Sequence, residues 1–337
     1  MKKILVIQTA FPGDAILTLP LIQQISKKYG TKNIDVIAIP ATEEIFRASG
    51  YVNKVIVFDK KKNHKGIIAT LRFGLSLRLE KYDVLFSPHR SFRSGLISLL
   101  SGCADRRGFS NSSFRKAFNT IVEYRTDFHE VQRNLSLLDQ ESAGSFQNIF
   151  PAMNVSANQV ESVNGFVAKI KPGKFVVIAP GSVWATKKYP EKYYIDISQY
   201  FLERGFSVVL AGSKSDSEVS SRISAGNADI YDVSGKFSIP ESVELMRRCE
   251  MVICNDSAPA HMALTANARI LMIYCSTDHS FGFYPYSSKS SYISYGDLPC
   301  KPCGIHGYNR CPIKTFDCGY KLIPQKVIER IEEMLAS

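Results

Sequence analysis

Hydrophobic positions follow two alternating periods along most of the chain. Short apolar runs, typical of buried strands, are each followed by a stretch in which apolar residues recur every three or four positions, as on one face of a helix. Two such series open at 3–9 and at 174–179. Because parallel strands need a crossover connection, usually a helix, the alternation predicts doubly wound parallel sheets and an α/β fold.

The periodic pattern is interrupted at residues 144–172, where Ser, Asn and Pro accumulate. Such a composition is typical of loops, and we interpret the stretch as an interdomain linker. A chain of 337 residues is long enough for two domains with separate cores. We therefore expect one doubly wound domain at 1–160 and a second at 173–322.

The composition is that of a soluble globular protein, with 45% hydrophobic and 22% charged residues. No apolar run reaches the roughly 20 residues that a membrane-spanning helix needs. The start at Met1 resembles the opening of a signal peptide, but Gly13 and Asp14 interrupt the apolar stretch and no small-residue cleavage site follows. We interpret this start as a first core strand and expect a cytoplasmic protein.

The net charge of +11 is concentrated in the first half, where residues 1–160 hold 22 Lys and Arg against 13 Asp and Glu. A basic half indicates nucleic acid, an anionic membrane surface or an acidic substrate as partner. Nucleic acid is disfavoured, since the sequence has no helix-turn-helix, RNA-recognition signature or zinc-finger spacing. The segment 60–79 is basic and amphipathic, which fits either contact with an anionic bilayer or a solvated loop followed by an ordinary surface helix.

Strands of the first half end in loops that carry charged side chains. Parallel strands place their carboxyl ends at one edge of the sheet, where α/β folds bind ligands. Asp14 follows the first strand and either serves such a site or caps the next helix. Arg90 and Arg93 follow a later strand, and a second basic turn contains Arg107. Arginine offers forked donors that match carboxylate or phosphate, so these loops predict an anion site.

The stretch 251–266 combines an apolar strand, a tight turn and an Ala-rich helix start. A helix N-terminus favours phosphate, because its N–H groups are unpaired and lie at the positive end of the helix dipole. Ser257 adds a hydroxyl, although the stretch also fits an ordinary junction in which Asp256 or Ser257 caps the helix. In an earlier loop of the same half, Gly181 leaves room for a ligand and Lys187 supplies positive charge.

These motifs together resemble the ADP-heptose:lipopolysaccharide heptosyltransferases of glycosyltransferase family nine. The matching motifs occur in the same order as in the family and extend over nearly the whole chain. They are Phe11-Pro12-Gly13-Asp14-Ala15, His89-Arg90-Ser91-Phe92-Arg93-Ser94, Arg107-Gly108-Phe109, His129-Glu130-Val131-Gln132-Arg133-Asn134, Pro180-Gly181-Ser182 with Lys187 and Tyr189-Pro190, Asn255-Asp256-Ser257-Ala258-Pro259-Ala260-His261, and Ser276-Thr277-Asp278 before Pro285. The family often has Gly where this chain has Ala258 and Trp where it has Tyr189, which leaves the sugar open.

The resemblance implies a GT-B fold, in which two Rossmann-like domains face each other across a cleft and the C-terminal helix, here 323–337, packs back on the first domain. It implies an inverting, metal-independent glycosyltransferase that moves heptose from ADP-heptose to the anionic inner core of lipopolysaccharide, with a Kdo or heptose acceptor. Such a protein would be peripheral to the cytoplasmic face of the inner membrane. Asp14 would be the general base that accepts the proton of the acceptor hydroxyl.

The resemblance also implies two groups of binding residues. Lys187, Ser257 and helix-terminal N–H groups would meet the charge of the diphosphate leaving group, whereas His261 either joins them or is a buried core histidine. The expected donor-binding residues are Ser182, Lys187, Asp216, Glu218, Asp256, Ser257, Ala258, Pro259, His261 and Thr277. The expected acceptor-binding residues are Gly13, Arg90, Arg93, Arg107 and Arg133, the arginines facing Kdo carboxylates or phosphates.

Four cysteines form the pattern Cys300-x2-Cys303-x7-Cys311-x6-Cys318. A cytoplasmic chain disfavours disulfides, and four thiolates are a chemically reasonable set for a structural zinc ion. The spacing is not that of a standard zinc ribbon, so thiols without a metal stay the alternative. No other cofactor is expected.

Two other functions fit the same residues. One is a family relative that uses another nucleotide sugar in capsule or O-antigen assembly. The other is a catalytically silent protein that binds nucleotides or glycolipids. A dinucleotide-dependent dehydrogenase is disfavoured, because no G-x-G-x-x-G follows the first strand.

Overall fold

The computed structural model describes residues 1–171, 173–296 and 298–336. The chain divides into two compact units, Met1–Asn154 and the remainder from Val155 onward. Each unit contains one six-stranded sheet. Every strand pair in these sheets is parallel. The predicted α/β fold with doubly wound parallel sheets is therefore confirmed.

The sheet of the first unit has the order β3-β2-β1-β4-β5-β6. Its strands are β1 (Ile4–Ile7), β2 (Ile34–Ala38), β3 (Lys54–Val57), β4 (Val84–Ser87), β5 (Asp105–Phe109) and β6 (Thr120–Val122). The helices of this unit are α1 (Pro12–Tyr29), α2 (Glu43–Arg47), α3 (Gly66–Ser76), α4 (Phe92–Leu100), α5 (Glu130–Ser136) and α6 (Gln140–Gly144).

The central strand β1 and the helix that follows it illustrate how the sequence forms this unit. All four residues of β1 are fully buried, as expected for a sheet that helices cover on both faces. Helix α1 begins at Pro12, whose fixed φ suits a first helical turn. It is followed by Gly30, which adopts a left-handed φ of 59° that costs glycine nothing. Because α1 begins soon after the end of β1, its first turn lies at the carboxyl edge of the sheet.

The sheet of the second unit has the order β12-β11-β10-β7-β8-β9. Its strands are β7 (Phe175–Ala179), β8 (Ser207–Leu210), β9 (Ile230–Asp232), β10 (Val252–Asn255), β11 (Ile270–Tyr274) and β12 (Ser290–Ser294). The helices of this unit are α7 (Ala157–Val167), α8 (Glu191–Glu203), α9 (Ser217–Ser224), α10 (Ile239–Met246), α11 (Ala258–Thr265), α12 (Asp317–Tyr320) and α13 (Pro324–Ala336).

Counted within its own unit, each sheet has the same strand order, 3-2-1-4-5-6. The first and fourth strands are neighbours in both cases, as β1 and β4 and as β7 and β10. Connections run in opposite directions from this pair, which creates the crevice where open α/β sheets bind ligands. We therefore expect a site at the carboxyl ends of β1 and β4 in the first unit, and another at the carboxyl ends of β7 and β10 in the second.

The predicted linker is only partly irregular. Helix α7 lies within 144–172 and starts with a capping box formed by Ser156 and Gln159. It packs on α10, so it belongs to the second unit. The boundary between the units accordingly falls after Asn154 and before the expected domain limits. Pro172 lies outside the described residues.

The assignment of the C-terminal helix to the first domain is wrong for α13. Val327, Ile331 and Met334 are buried in one hydrophobic cluster with Tyr200 and Phe201 of α8. Helix α13 also contacts β12. Its apolar face is thus covered by the second unit. Ser337 lies outside the described residues.

Candidate functional site

Asp14 lies in the first turn of α1, directly after the turn that ends β1. The surrounding protein raises its pKa to about 7, chiefly because burial disfavours the ionised carboxylate and secondly because Glu130 is nearby. Hydrogen bonding to the backbone amides of Asp14 and Phe11 and the charge of Arg90 oppose this rise. A carboxylate with this pKa binds a proton more strongly than an ordinary aspartate, which suits a general base near neutral pH.

Glu130 is the first residue of α5, the helix that packs against α1. Its Oε2 accepts hydrogen bonds from Arg133 Nη1 at 2.9 Å and from the Tyr124 hydroxyl at 3.2 Å. A further bond from Asn134 Nδ2 to the carbonyl of Leu17, 3.1 Å long, joins α5 to α1. These contacts fix a second carboxylate near Asp14. Glu130 belongs to the motif at 129–134 in the sequence, but nothing in that motif indicates its proximity to Asp14.

Arg133 was expected to bind the acceptor, but its side chain is only 2% exposed. Besides its ion pair with Glu130, it donates from Nε to the carbonyl of Arg125 at 2.8 Å and from Nη2 to that of Thr126 at 3.0 Å. Its guanidinium thus stabilises the fold through hydrogen bonds to internal acceptors. The structure does not bring Arg133 to a surface where an acceptor could reach it.

Arg107 was also expected at the acceptor site. Its Nη2 pairs with Asp105 at 2.8 Å, and its Nη1 donates to the carbonyl of Leu138 at 3.2 Å. The ion pair with Asp105 raises its pKa further. These partners indicate that Arg107 mainly fastens β5 to the end of α5.

Arg90 and Arg93, in contrast, lie in the loop and first turn after β4 near the switch point of the first sheet. The guanidinium carbon of Arg90 lies 4.0 Å from the centre of the Tyr124 ring, a cation–π contact. In the same loop, His89 Nδ1 is 2.8 Å from both Thr9 Oγ1 and Ser94 Oγ. Burial and the charges of Lys60 and Arg90 lower the pKa of His89 to about 4, so it is neutral at physiological pH.

Arg93 lines a pocket of about 230 Å³ in the first unit. The other lining residues are Thr9, Phe58, Lys60, Ser91 and Phe92. Burial and the nearby Arg93 lower the pKa of Lys60, because the two positive charges repel each other. An anion in the pocket would relieve that repulsion and accept bonds from the hydroxyls. Lys60 was seen in the sequence only as part of a basic run, yet its place just beyond β3 marks it as a sheet-edge residue.

In the second unit the strongest polar contact of the site joins Lys187 and Asp256. Lys187 Nζ lies 2.6 Å from Asp256 Oδ2, and the two side chains are only 13% and 10% exposed. The hydroxyl of Thr277 donates to the same oxygen at 2.7 Å. Lys187, Asp256 and Thr277 follow β7, β10 and β11, which are neighbours in the sheet. The structure thus brings together three of the expected donor residues, hereafter the charged trio.

Asn255, the last residue of β10, holds the loops around the charged trio in place through hydrogen bonds of its side chain. Its side-chain oxygen accepts from the backbone N–H of Tyr189 at 2.9 Å and from the hydroxyl of Tyr194 at 2.8 Å. Its Nδ2 donates to the carbonyl of Pro180 at 2.7 Å. Asn255 is fully buried and all these partners are internal. Asn255 belongs to one of the matching motifs in the sequence. Its role was not evident there, because its hydrogen-bond partners lie in loops that only folding brings together.

Helix α11 starts beside the charged trio with Ser257 at its N-cap, Ala258 and Pro259 in the first turn. The side chain of Ser257 does not cap the helix; its Oγ instead donates to the carbonyl of Gly181 at 3.3 Å. Asp256 is held by Lys187 and Thr277. The ordinary-junction interpretation expected Asp256 or Ser257 to cap this helix; the N-cap residue Ser257 makes no side-chain capping bond.

His261, one turn into α11, is 4% exposed. Its Nδ1 is buried and has no hydrogen-bond partner within the described part of the chain. Burial lowers its pKa to about 4; Lys187 lowers it too and Asp256 raises it. His261 is therefore a neutral histidine beside the charged trio, buried as the core interpretation expects but with one ring nitrogen unsatisfied.

The remaining expected donor residues are not part of the charged trio. Asp216 Oδ2 accepts from the backbone and hydroxyl of Ser213, as part of a capping box, and the carboxylate packs so closely on Gly181 that a Cβ there would lie 2.5 Å from it. Glu218 pairs with Arg222 at 2.6 Å on the surface. Ser182 is partly exposed in the loop after Gly181. In the first unit Gly13 lies in the first turn of α1.

The four C-terminal cysteines are free thiols. Burial raises the pKa of Cys303, and the nearby thiols of Cys300 and Cys311 raise it further. Cys318 is buried in the hydrophobic core. Within 1–171, 173–296 and 298–336, no group of three or more His, Cys, Asp or Glu is arranged to hold a metal ion. The geometry therefore gives no support to a zinc ion at these cysteines.

Among the described residues no helix combines the length and apolar character needed to cross a bilayer.

Comparisons with known proteins agree with this geometry. The family model described as Glycosyltransferase family 9 (heptosyltransferase) matches residues 70–308. Lipooligosaccharide heptosyltransferase 2 of Haemophilus influenzae is 25% identical, over 99% of each chain. The structure of E. coli ADP-heptose lps heptosyltransferase II has a TM-score of 0.80 at 22% identity and covers 99% of this chain and 98% of that one.

A second structural relative is the E. coli heptosyltransferase WaaC, solved with ADP-2-deoxy-2-fluoro heptose. It has a TM-score of 0.70 at 16% identity, and the match covers 98% of this chain and 99% of that chain. At these identities the likeness establishes the fold, which is GT-B with two Rossmann-like units, as expected.

Proposed function

Because the chain belongs to glycosyltransferase family 9 (heptosyltransferase), we propose that it transfers heptose from ADP-heptose to the anionic inner core of lipopolysaccharide, on a Kdo or heptose residue. The observation that carries the proposal is the charged trio beside the N-terminus of α11. The names of the relatives support this donor and this acceptor, since they are lipopolysaccharide and lipooligosaccharide heptosyltransferases and one was solved with an ADP-heptose analogue.

Donor binding would use Lys187 and the start of α11. The diphosphate would receive charge-assisted hydrogen bonds from Lys187 Nζ and the first-turn N–H groups of α11, and the dipole of the helix favours its negative charge. Lys187 would then exchange or share its present partner Asp256. His261 Nδ1, buried and unsatisfied next to the charged trio, is placed to gain a partner from the donor.

The chemical step would be an inverting displacement. The acceptor hydroxyl attacks the anomeric carbon of heptose, the bond from that carbon to the diphosphate oxygen breaks, and ADP leaves with the bonding electrons. The hydroxyl proton passes to Asp14, whose raised pKa strengthens it as a base. Lys187 and the α11 amides would meet the charge that develops on ADP, so we propose that transfer needs no divalent metal.

The acceptor would be held by the cationic pocket of the first unit. Lys60 and Arg93 share that pocket, and Arg90 lies nearer to Asp14. Kdo carboxylates or core phosphates match such donors. The acceptor is a membrane lipid, so we also propose that the protein works at the cytoplasmic face of the inner membrane as a peripheral protein.

A panel of ADP-, GDP- and UDP-sugars tests the proposal. Turnover of ADP-heptose with a lipopolysaccharide acceptor, and of no other donor, is the expected result. Turnover of a different nucleotide sugar would instead favour a role in capsule or O-antigen assembly. Donor binding without turnover on any acceptor would favour a catalytically silent binding protein.

A further inference from the structure

Helix α3 presents large apolar side chains to solvent, although one of its large residues, Phe73, packs against the hydrophobic core of the first unit. Ile68 and Leu75 of α3, and Leu79 in the turn that follows it, are 64%, 45% and 86% exposed. Positions 68 and 75 are two helical turns apart and so lie on one face. On the opposite face Thr70 and Gly74 are buried. The helix therefore exposes the residues that a globular protein would ordinarily bury.

The inward packing of α3 explains why this arrangement is stable. A Cβ added to Gly74 would lie 2.8 Å from Leu100 Cβ, so the backbone of α3 approaches α4 closely. Thr70 satisfies its hydroxyl on the carbonyl of Gly66 at 2.9 Å. Leu99 of α4 is also 40% exposed and extends the apolar surface. The orientation of α3 is thus fixed by close packing, which leaves Ile68 and Leu75 outside.

Basic residues accompany this apolar surface along the chain. The segment 60–79 contains no Asp or Glu. Its basic residues are Lys60, Lys61, Lys62, Lys65, Arg72 and Arg78. Arg72 lies between Ile68 and Leu75 on the exposed face of α3.

The basic loop before α3 is held in place. Asp59 Oδ1 accepts from the backbone N–H groups of Lys61 and Lys62, at 3.0 and 3.1 Å. The ring of His64 stacks on Phe58, with centroids 5.0 Å apart. Among the described residues neither Lys61, Lys62 nor Lys65 takes part in a salt bridge. Their charges are available to an external anion.

We propose that the exposed face of α3, together with the loop 60–65 and Leu79 (hereafter the α3 face), docks on an anionic lipid bilayer. Apolar side chains would enter the boundary between head groups and acyl chains, while the lysines meet lipid phosphates. Charge favours this occupant over a second copy of the chain, because a two-fold contact would set the cationic surface against itself. The inference rests on the proposed function in one respect, namely that the acceptor there is a membrane lipid.

Vesicle flotation of the full chain tests the α3 face. The vesicles are pure phosphatidylcholine, or phosphatidylcholine with about one-third phosphatidylglycerol, at low and high salt. We expect binding to the anionic vesicles only, weakened by salt. Two triple variants, Lys61→Ser with Lys62→Ser and Lys65→Ser, and Ile68→Ser with Leu75→Ser and Leu79→Ser, should each lower the partition coefficient about tenfold or more.

The matched control is a triple variant of exposed isoleucines in the second unit, Ile195→Ser, Ile313→Ser and Ile323→Ser, which should bind as the wild type does. Equal binding to neutral vesicles, or unchanged binding of both α3-face variants, would overturn the proposal. So would a dimer in sedimentation velocity that the apolar triple variant abolishes. Unaltered thermal unfolding confirms that the variants are folded.

A separate assay keeps this inference distinct from the proposed function. Both α3-face variants should transfer heptose to a soluble, deacylated acceptor at the wild-type rate, since their residues lie outside the substrate pockets. If the wild type fails in that assay but still binds anionic vesicles, the proposed function is wrong and the α3 face stands. If transfer succeeds but vesicles are not bound, the α3 face is wrong.

Discussion

The ammonium of Lys187 lies 2.6 Å from a carboxylate oxygen of Asp256, and Thr277 donates to that same oxygen. The positive charge of Lys187 is therefore balanced by an internal carboxylate. A diphosphate that binds Lys187 must compete with Asp256 or extend the network. Under the proposed function, donor affinity would therefore depend on this ion pair.

Lys187→Ala should weaken ADP-heptose binding at least tenfold, measured by calorimetry, because a charge-assisted bond to the diphosphate is lost. It should also lower the melting temperature, since removal of one partner of a buried ion pair costs about 3–5 kcal/mol. Lys188→Ala is the matched control and should change neither property. Unaltered donor affinity in the Lys187 variant would remove this residue from the donor site.

Asp14→Asn should reduce kcat about 10²–10⁴-fold, the usual contribution of a general base, while ADP-heptose affinity stays within about twofold. Single-turnover kinetics and calorimetry on the same preparation separate the two effects. Weak donor binding with normal turnover of bound donor would contradict the role of Asp14 as the base.

The same substitution should affect stability in a pH-dependent way. The folded pKa of Asp14, about 7, lies above its ordinary value of 3.8, so the folded state binds the proton more tightly than the unfolded state does. This contribution to stability is fully present below the unfolded pKa and is lost as pH rises through the folded pKa. Asp14→Asn should therefore raise the melting temperature more at pH 8 than at pH 4, which thermal scans at the two pH values can check.

Glu130→Gln should lower the pKa of Asp14, because the nearby negative charge is one cause of its elevation. Activity needs ionised Asp14, so the acidic limb of the kcat/KM profile should move to lower pH. Glu141→Gln, on the exposed surface of α6, is the control and should leave the limb in place. An unmoved limb in folded Glu130→Gln protein would contradict electrostatic coupling between the two carboxylates.

Arg93→Ala and Lys60→Ala should each raise the KM for an anionic acceptor, with little change in melting temperature, because both line the open pocket. Arg133→Ala should instead lower the melting temperature and leave the acceptor KM nearly unchanged, because it leaves the buried carboxylate of Glu130 without its ion-pair partner. Steady-state kinetics beside thermal unfolding distinguish the two patterns. A normal acceptor KM in both pocket variants would exclude that pocket as the anion site.

Much of the fold could be predicted from the sequence, because strand and helix periods are local properties. What α13 packs against could not, since amphipathicity shows that one face is buried but not which unit buries it. Helix α7 was assigned to the linker on its Ser and Asn content, although the Ser156-x-x-Gln159 capping signature was present.

Convergence of side chains could be predicted where they follow strands of one sheet, but internal partners from distant loops could not. Lys187, Asp256 and Thr277 do converge. Arg107 and Arg133 have the same donors as Arg93, but internal carbonyls occupy them, and the carbonyl of Leu138 lies far from Arg107 in sequence. Only the folded structure distinguishes an arginine that lines a pocket from one whose guanidinium is bonded to internal carbonyls.

Under the proposed function, the repeated strand order would give the two substrates separate scaffolds. In the first unit the loops at the switch point carry Asp14 and Arg90, and in the second they carry Gly181 and Asp256. Acceptor preference and donor preference can then diverge independently, because a substitution in one set of loops leaves the other scaffold intact. A lineage with this architecture could diversify the glycans that it builds while keeping a single activated sugar.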